Sequence, residues 1–368
     1  MTPKFLRNVI LKGLLLFIII TLAWTAINPS RLGGLSSYNT LLRGRERLPF
    51  GEDSSQSYNL SLYNLDAMFA SLRLAGTPKS ADEYRVFVIG DSSTWGTLLR
   101  PEETLAGMLD ASGLTTADGR VVKVYNLGYP TLSLVKDLMI LDQAMQYEPD
   151  LILWPVTLES FPRDRQLESP IVANNIDRVA ALIDGYHLNL NAPEDKTTFW
   201  DRTLIGQRRA LADLLRLQLY GVMWSATGMD QTYPTDYQPA ARDLEADETF
   251  NKWKPGDMTV DDLAFDVIVA GMQLAGDVPV VLINEPVLVS VGQNSDIRYN
   301  FYYPRWAYDQ YREMLGEQCQ VNNWNYLDLW DAVPEERFTN SAIHLDPQGE
   351  AMLVAKIIEV GILQGSDR

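Results

Sequence analysis

Residues 86–96 read Val86-Phe87-Val88-Ile89-Gly90-Asp91-Ser92-Ser93-Thr94-Trp95-Gly96. A short run of β-branched and aromatic residues, typical of a buried strand, ends abruptly at Gly-Asp-Ser, and a helix-like stretch follows. This order places the Ser92 hydroxyl at the carboxyl end of a strand, beside the N-terminus of a helix. Open α/β sheets bind ligands at that edge, and backbone N–H groups there stabilise anions. Ser92 is therefore a candidate nucleophile, provided that a histidine reaches it.

Strand-like and helix-like segments alternate on the carboxyl side of this stretch. Apolar runs predict strands over 85–89, 121–127, 151–154, 278–283 and 326–329. Helical spacing predicts a helix that opens at Pro101 and further helices over 133–147, 261–275, 306–318 and 347–361. Such alternation predicts an α/β fold, a three-layer α/β/α sandwich with a parallel sheet covered on both faces.

The alternation stops between about residues 161 and 255, where loops rich in Asp, Asn, Tyr and Trp surround one amphipathic helix over 202–219. We interpret this stretch as an insertion in a domain spanning 81–368. An insertion near the strand ends could cover the site. A peripheral structural elaboration explains the same residues equally well.

The first 28 residues indicate a membrane segment. Lys4, Arg7 and Lys12 precede or enter an apolar run from Val9 to Ile27, and Trp24 suits the far interface. This pattern predicts a retained signal anchor, single-pass, with the basic end inside and the carboxyl-terminal domain extracytoplasmic. A cleaved signal peptide is the alternative and implies the same exported location. Residues 29–80 are predicted to form a stalk that packs partly on the domain and contains one short helix.

The net charge and the cysteine count argue against several classes of function. The chain has 368 residues, 46% of them hydrophobic, and a formal net charge of −17, which argues against nucleic-acid binding through a basic face. Cys319 is the single cysteine, so the sequence allows no internal disulfide and no thiolate metal cluster. No metal-binding motif is evident, and nothing implies a cofactor.

Only two histidines are available as a base. His187 lies inside the inserted stretch, where no strand end precedes it, and a surface or packing role fits it better. His344 lies after the last predicted strand and immediately before the final helix. In a parallel sheet this loop returns to the edge that carries Ser92, which makes His344 the candidate base.

Acyl transfer also requires donors for an oxyanion. Gly128 follows the second strand, where a glycine lets its backbone N–H approach a ligand closely. Thr157 follows the third strand, and its hydroxyl could donate. Each residue taken alone also fits an ordinary turn.

The order of these segments resembles the SGNH/GDSL hydrolase superfamily from about Tyr84 to the end of the chain. The matching pieces are Gly90-Asp91-Ser92, Asn126-Leu127-Gly128, Glu148-Pro149-Asp150 and His344 before the final helix. The resemblance implies a flavodoxin-like fold, Ser92 as nucleophile and His344 as base. It also implies the backbone N–H groups of Ser92 and Gly128 as oxyanion donors.

Two positions depart from the family pattern. Thr157 stands at about the place of an asparagine that completes the oxyanion hole, and Ser341 stands where an aspartate precedes the histidine by three residues. Asn340, Ser341 and Asp346 are the nearby candidates to orient His344, although Asp346 also suits a helix cap. Loss of one oxyanion donor costs roughly a hundred- to a thousandfold. The site is therefore completed by another acid or carbonyl, works as a Ser–His dyad, or is weakly active.

A membrane-anchored, exported domain of this kind resembles bacterial proteins linked to polysaccharide O-acetylation. The resemblance implies an esterase or O-acyltransferase acting on an acyl ester or an extracellular glycan, with a membrane O-acyltransferase as a candidate partner. The alternative is a glycan-binding or assembly subunit that keeps the fold while its site has decayed.

Overall fold

The computed structural model describes residues 2–26, 29–36, 39, 42, 44–49, 59–194, 196–231 and 236–364. Its strands are β1 (Glu83–Val88), β2 (Val121–Asn126), β3 (Leu151–Val156), β4 (Val280–Asn284) and β5 (Asn325–Asp328). Its α-helices are α1 (Pro3–Thr25), α2 (Leu65–Ser71), α3 (Ser92–Trp95), α4 (Leu105–Ala111), α5 (Leu134–Ala144), α6 (Pro170–Ala173), α7 (Ile176–Tyr186), α8 (Arg208–Thr227), α9 (Phe265–Ala275), α10 (Arg305–Asn322) and α11 (Pro347–Glu359).

The five strands form one sheet in the order β2-β1-β3-β4-β5, and every neighbouring pair is parallel. This is the flavodoxin-like order, in which the chain reverses its winding direction between β1 and β3. In the register, Val88 at the end of β1 lies beside Asn126 of β2 and Leu153 of β3. Ser92 therefore follows β1 at the switch point, where such sheets bind their ligands.

Alternate residues of each strand enter two separate cores, one on each face of the sheet. Phe87, Ile152 and Leu282 pack with apolar side chains of α5, α9 and α10. Val86, Leu153 and Ile283 pack on the other face with those of α4 and α11. The predicted three-layer α/β sandwich with a parallel sheet is thus confirmed, and the observed strands begin or end within two residues of the predicted ones.

Residues 59–80 pack more deeply than the expected stalk. The short helix predicted here is α2, and the apolar side chains of Leu65, Met68 and Phe69 are fully buried in the larger core. Tyr129, in the loop after β2, donates its hydroxyl hydrogen to the backbone oxygen of Leu62 at 2.8 Å. The described residues from Asn59 onward therefore pack on the domain, as part of the predicted stalk was expected to do.

Helix α1 has 23 residues, an 18-residue window of it has a mean hydropathy of 2.1, and none of its residues is buried against the rest of the protein. By length and composition it is able to cross a membrane, since a spanning helix needs about 20 predominantly apolar residues.

Between β3 and α9 the chain forms short helices and loops. The helix predicted over 202–219 is observed as α8 (Arg208–Thr227), shifted toward the carboxyl end. Residues 199–206 form turns instead, in which Thr203 donates its hydroxyl hydrogen to the Trp200 backbone oxygen at 2.7 Å. The helix continues past Gly221 because this glycine lies on the buried side, and it ends where Gly228 adopts a left-handed conformation.

Candidate active site

A tight turn between β1 and α3 fixes the position of Ser92. The Asp91 side chain caps α3 by accepting the Ser93 backbone N–H at 2.8 Å. A Cβ atom at Gly90 would lie 2.3 Å from Thr94 Oγ1 and 3.3 Å from the Pro155 backbone oxygen, so only glycine fits here. The turn leaves Ser92 partly exposed while Asp91 is buried.

His344 lies within hydrogen-bond distance of this serine. Its Nε2 atom is 2.7 Å from Ser92 Oγ, although the two residues are 252 positions apart. The loop that carries His344 is closed by a hydrogen bond from the Thr339 N–H to the His344 backbone oxygen at 2.8 Å. Helix α11 begins directly afterwards and holds the loop at the carboxyl edge of the sheet.

Asn340 contacts the opposite side of the imidazole. Its Oδ1 atom lies 2.8 Å from His344 Nδ1. An amide oxygen can only accept a hydrogen bond, so this contact places a hydrogen on Nδ1 and leaves Nε2 free to accept one. Of the three candidates to orient His344, Asn340 is the one whose side chain contacts the imidazole.

The two other candidates to orient His344 make different contacts. The Asp346 side chain accepts the Gly349 backbone N–H at 2.7 Å and pairs with Arg337 at 3.1 Å, so it caps α11. Ser341 lies beside Tyr302. The spacing of the loop, with Asn340 four residues before the histidine, decides which side chain reaches Nδ1.

Burial lowers the pKa of His344 to about 4. Desolvation disfavours the imidazolium, and neutral Asn340 supplies no negative charge to offset this cost. At neutral pH His344 is therefore uncharged and able to accept a proton.

Of the three predicted oxyanion donors, the Gly128 N–H is engaged and the Thr157 hydroxyl is buried. The Gly128 backbone N–H donates to Asn126 Oδ1 at 2.9 Å. The Thr157 side chain is fully buried, and its Oγ1 lies 3.0 Å from the Tyr303 hydroxyl. Among the described residues the Ser92 backbone N–H, at the first position of α3, has no recorded acceptor.

A cluster of buried charges lies behind the Ser92 turn. Lys136 is completely buried, donates to the Gly90 backbone oxygen at 2.7 Å and pairs with Asp137 at 2.6 Å. Burial raises the pKa of Asp91, while the charge of Lys136 opposes that rise. Burial and the neighbouring Asp91 raise the pKa of Glu285 well above its usual value, and Glu285 accepts the Ser93 hydroxyl.

Arg47 also reaches the turn, from the segment predicted to be a stalk. Its guanidinium lies over the Trp95 indole, with 4.2 Å between the guanidinium carbon and the ring centroid. It donates to the backbone oxygens of Trp95 at 2.9 Å and Gly96 at 2.6 Å. Arg47 therefore holds the carbonyls at the end of the helix that begins with Ser92.

Sequence reasoning missed Arg47, Lys136 and Glu285. Glu285 carried a usable signal, because it directly follows the apolar run of β4 at the same sheet edge. Arg47 carried none, since the backbone oxygens of Trp95 and Gly96 that it contacts lie about fifty residues away in the chain. The second histidine, His187, is exposed at the end of α7, where it adopts a left-handed conformation with φ +54°.

No family model matches the sequence, and no curated protein matches it. Among solved structures, the protein is similar to a member of the lipolytic protein G-D-S-L family from Veillonella parvula. The identity is 12%, with 75% of this chain and 97% of that chain covered and a TM-score of 0.35.

It is also similar to a carbohydrate acetylesterase family member from Sinorhizobium meliloti, at 12% identity, with 77% of this chain and 99% of that chain covered and a TM-score of 0.35. A third similar structure is an acetylxylan esterase from Geobacillus stearothermophilus, determined as a catalytic mutant. The identity is 12%, with 77% of this chain and 95% of that chain covered and a TM-score of 0.35. Identities and TM-scores this low do not assign a function to this chain.

Proposed function

We propose that this protein is a membrane-anchored serine esterase or O-acyltransferase of the SGNH type. The observation that carries the proposal is the 2.7 Å contact between Ser92 Oγ and His344 Nε2 at the switch point of a flavodoxin-like sheet. A serine hydroxyl becomes nucleophilic when a neighbouring base accepts its proton, and the base acts best when a third group orients it. Asn340 supplies that third contact.

The reaction follows from this geometry. Ser92 Oγ attacks the acyl carbonyl carbon while its proton moves to His344 Nε2, and the carbonyl oxygen becomes an oxyanion. The bond to the alcohol then breaks, and His344 returns the proton to the leaving oxygen. In a hydrolase water then attacks the acyl-serine, and in a transferase a sugar hydroxyl attacks it, while His344 accepts the proton of the attacking group. The bond between Ser92 Oγ and the acyl carbon breaks, and His344 returns this proton to Ser92 Oγ.

The neutral orienting residue limits the rate. Asn340 holds the imidazole in the tautomer that general-base catalysis requires but does not stabilise the imidazolium that forms. Because Gly128 N–H is engaged by Asn126, the Ser92 N–H is the first donor available to the oxyanion. We therefore expect slow turnover rather than none.

The setting we propose is the outer side of a membrane. Helix α1 carries Lys4, Arg7 and Lys12 in its first half, a distribution that favours a cytoplasmic amino end. An extracellular glycan ester then becomes the accessible substrate, and a membrane O-acyltransferase is the partner that this arrangement suggests.

A second candidate function is glycan binding or assembly without catalysis. The occupied Gly128 N–H and the buried Thr157 favour it, since both remove donors that an oxyanion hole uses. In that case binding of an acetylated oligosaccharide persists in the Ser92→Ala and His344→Ala variants, and none of the three proteins cleaves it.

Labelling with a fluorophosphonate distinguishes these functions. The full chain in detergent should be labelled at Ser92 and should release acetate from 4-nitrophenyl acetate, and Ser92→Ala should abolish both. Ser93→Ala is the matched control, because Ser93 is the adjacent hydroxyl and contacts Glu285 rather than His344. If the folded wild-type protein is neither labelled nor active on any small acetyl ester, the esterase proposal fails.

A further inference from the structure

The strongest feature outside the site is an apolar side of helix α8 that faces solvent. Leu215, Leu219, Val222 and Met223 recur at helical spacing and are all exposed; Leu219 is 73% exposed. The opposite side, with Leu217 and Gly221, is buried. A solvent-facing stripe of this kind marks an interaction surface, since soluble domains seldom expose contiguous large apolar side chains.

Two aromatic residues in the turns before α8 are also exposed. Phe199 and Trp200 precede α8, form an edge-to-face pair with 5.7 Å between ring centroids, and are exposed, Trp200 by 72%. Tryptophan is enriched where a membrane meets water, because its ring is apolar and its N–H is polar.

The charge of α8 differs from that of the whole protein. The helix contains one acidic residue, Asp213, and three arginines, Arg208, Arg209 and Arg216, whereas the whole chain has a net charge of −17. Asp213 is buried and pairs with Arg216 at 2.7 Å, so it lies on the side away from the stripe. An arginine-rich helix with an apolar face suits the surface of a bilayer that contains anionic lipid.

The path of the chain places α8 near the membrane. Gln218 Nε2 donates to the backbone oxygen of Leu35 at 2.9 Å, and Leu35 comes nine residues after Ala26, the cap of the spanning helix α1. Residues 29–34 form a 3₁₀ helix, so the connection reaches at most about 30 Å. Helix α8 is therefore tethered to the end of the segment that would cross the bilayer.

From these observations we infer that α8 lies in the membrane–water interface on the outer side of the bilayer that α1 crosses. Four side chains of α8 are then inserted among the lipid acyl chains: Leu215, Leu219, Val222 and Met223. The inference rests on the membrane anchoring in the proposed function and names the partner surface as a bilayer containing anionic lipid. The domain is thus held against the membrane at two places, by α1 and by α8. Its orientation relative to the bilayer is then fixed.

Site-directed fluorescence measures the depth of α8 directly. Cys319, the single native cysteine, is buried, and burial raises the pKa of its thiol to about 12, so it does not compete for a thiol-reactive dye. The full chain is reconstituted in vesicles of phosphatidylethanolamine and phosphatidylglycerol as Leu219→Cys, labelled with an environment-sensitive fluorophore, and quenched by nitroxide-bearing lipid. Val321→Cys on α10 is the matched control, an exposed aliphatic residue (80%) outside α8.

We expect lipid quenching at position 219 to exceed that at position 321 at least twofold, with less quenching by aqueous iodide. Equal iodide access at both positions and no lipid quenching at 219 would overturn the inference. Shielding from iodide without lipid quenching would overturn it too, by indicating contact with another protein copy.

Leu16→Cys, in the middle of α1, separates this inference from the anchoring itself. If position 16 is quenched by lipid and position 219 is not, the docking of α8 fails while the anchor stands. If lipid quenches the fluorophore at neither position 16 nor position 219, both the anchoring by α1 and the docking of α8 are wrong. None of these readouts uses ester cleavage, and Leu219→Ser should leave turnover of a soluble ester unchanged.

Discussion

The carboxamide of Asn340 and the imidazole of His344 are joined by a contact of 2.8 Å between Oδ1 and Nδ1, on the side of the ring opposite Ser92. In a Ser-His-Asp triad a carboxylate makes this contact and stabilises the charge that the histidine acquires. Here a neutral amide makes it. The geometry of a triad is kept, while its electrostatic contribution is reduced, and the first two predictions follow from that difference.

The Asn340→Asp substitution should raise activity. A carboxylate next to Nδ1 favours the imidazolium form, so kcat for a small acetyl ester should increase at least tenfold; the reverse change in a serine protease costs about ten-thousandfold. Asn340→Ala should lower kcat, because the tautomer is no longer held. Asn322→Asp, an exposed asparagine at the end of α10, is the control, and a gain there of similar size would contradict the explanation.

The dependence of rate on pH should show an unusually acidic inflection. The pKa of His344 is about 4, and the base works only when unprotonated. The value of kcat/KM for the wild type should be nearly constant above pH 5 and decline as the pH falls through about 4. Asn340→Asp should move the inflection upward, because the new negative charge stabilises the protonated ring. A wild-type inflection between pH 6 and 7 would be inconsistent with a desolvated histidine.

Removing Arg47 should disturb the catalytic turn from a distance. Arg47→Ala leaves the backbone oxygens of Trp95 and Gly96 without this partner, and each buried group left unsatisfied costs about 1–3 kcal/mol. We expect a lower free energy of unfolding and a kcat reduced more than KM changes.

Arg163→Ala is the matched control for this prediction, because Arg163 also donates to several backbone oxygens, those of Asp261, Asn189 and Leu263, but none of its contacts is with the Ser92 turn. It should destabilise the protein without lowering kcat. For Arg47→Lys the free energy of unfolding and kcat should lie between those of the wild type and Arg47→Ala. An ammonium group keeps the charge but cannot reproduce the planar fork of the guanidinium.

Glu350 should make the protein less stable as the pH rises. Burial raises its pKa to about 8, whereas in the unfolded chain the group titrates near 4.5. Between these values the folded protein retains a proton that the unfolded chain loses, so stability falls by up to about 1.4 kcal/mol per pH unit. Below pH 4.5 and above pH 8 this residue adds no slope.

Chemical denaturation of Glu350→Gln at several pH values between 5 and 8 tests this directly. The variant should lack that part of the slope and gain stability relative to the wild type toward pH 8. Glu359→Gln, on the exposed side of α11, should leave the slope unchanged. A slope that is the same in wild type and Glu350→Gln would refute the assignment.

Sequence reasoning predicted the parts of the molecule that depend on local pattern. The strand before Ser92 is a β-branched and aromatic run that ends at a glycine, so its type and the edge to which it points follow from periodicity and topology. The position of His344 between the last strand and the final helix predicted that it lies at the same edge of the sheet. In the structure its imidazole is within hydrogen-bond distance of Ser92. The roles of these residues in catalysis stay predictions until activity is measured.

The partners of the predicted oxyanion donors could not be foreseen from the sequence, because they depend on the folded chain. The Asn126 side chain accepts a hydrogen bond from the Gly128 N–H, and whether this local bond forms depends on the backbone conformation of the loop. Tyr303 reaches the Thr157 hydroxyl from 146 positions away. Arg47 was assigned to a stalk for the same reason, since only the folded chain shows that it lies on Trp95.

The separation of Ser92 and His344 by 252 positions sets the order in which the site is built during biosynthesis. The amino-terminal part of a chain emerges first, so the strand and turn that carry the serine are available long before the base exists. The histidine joins them only when the last helix docks on α4, a contact between distant parts of the chain that forms late in folding. A growing or truncated chain therefore carries Ser92 without its His344 contact, and the activation that we propose for this hydroxyl is confined to the finished protein.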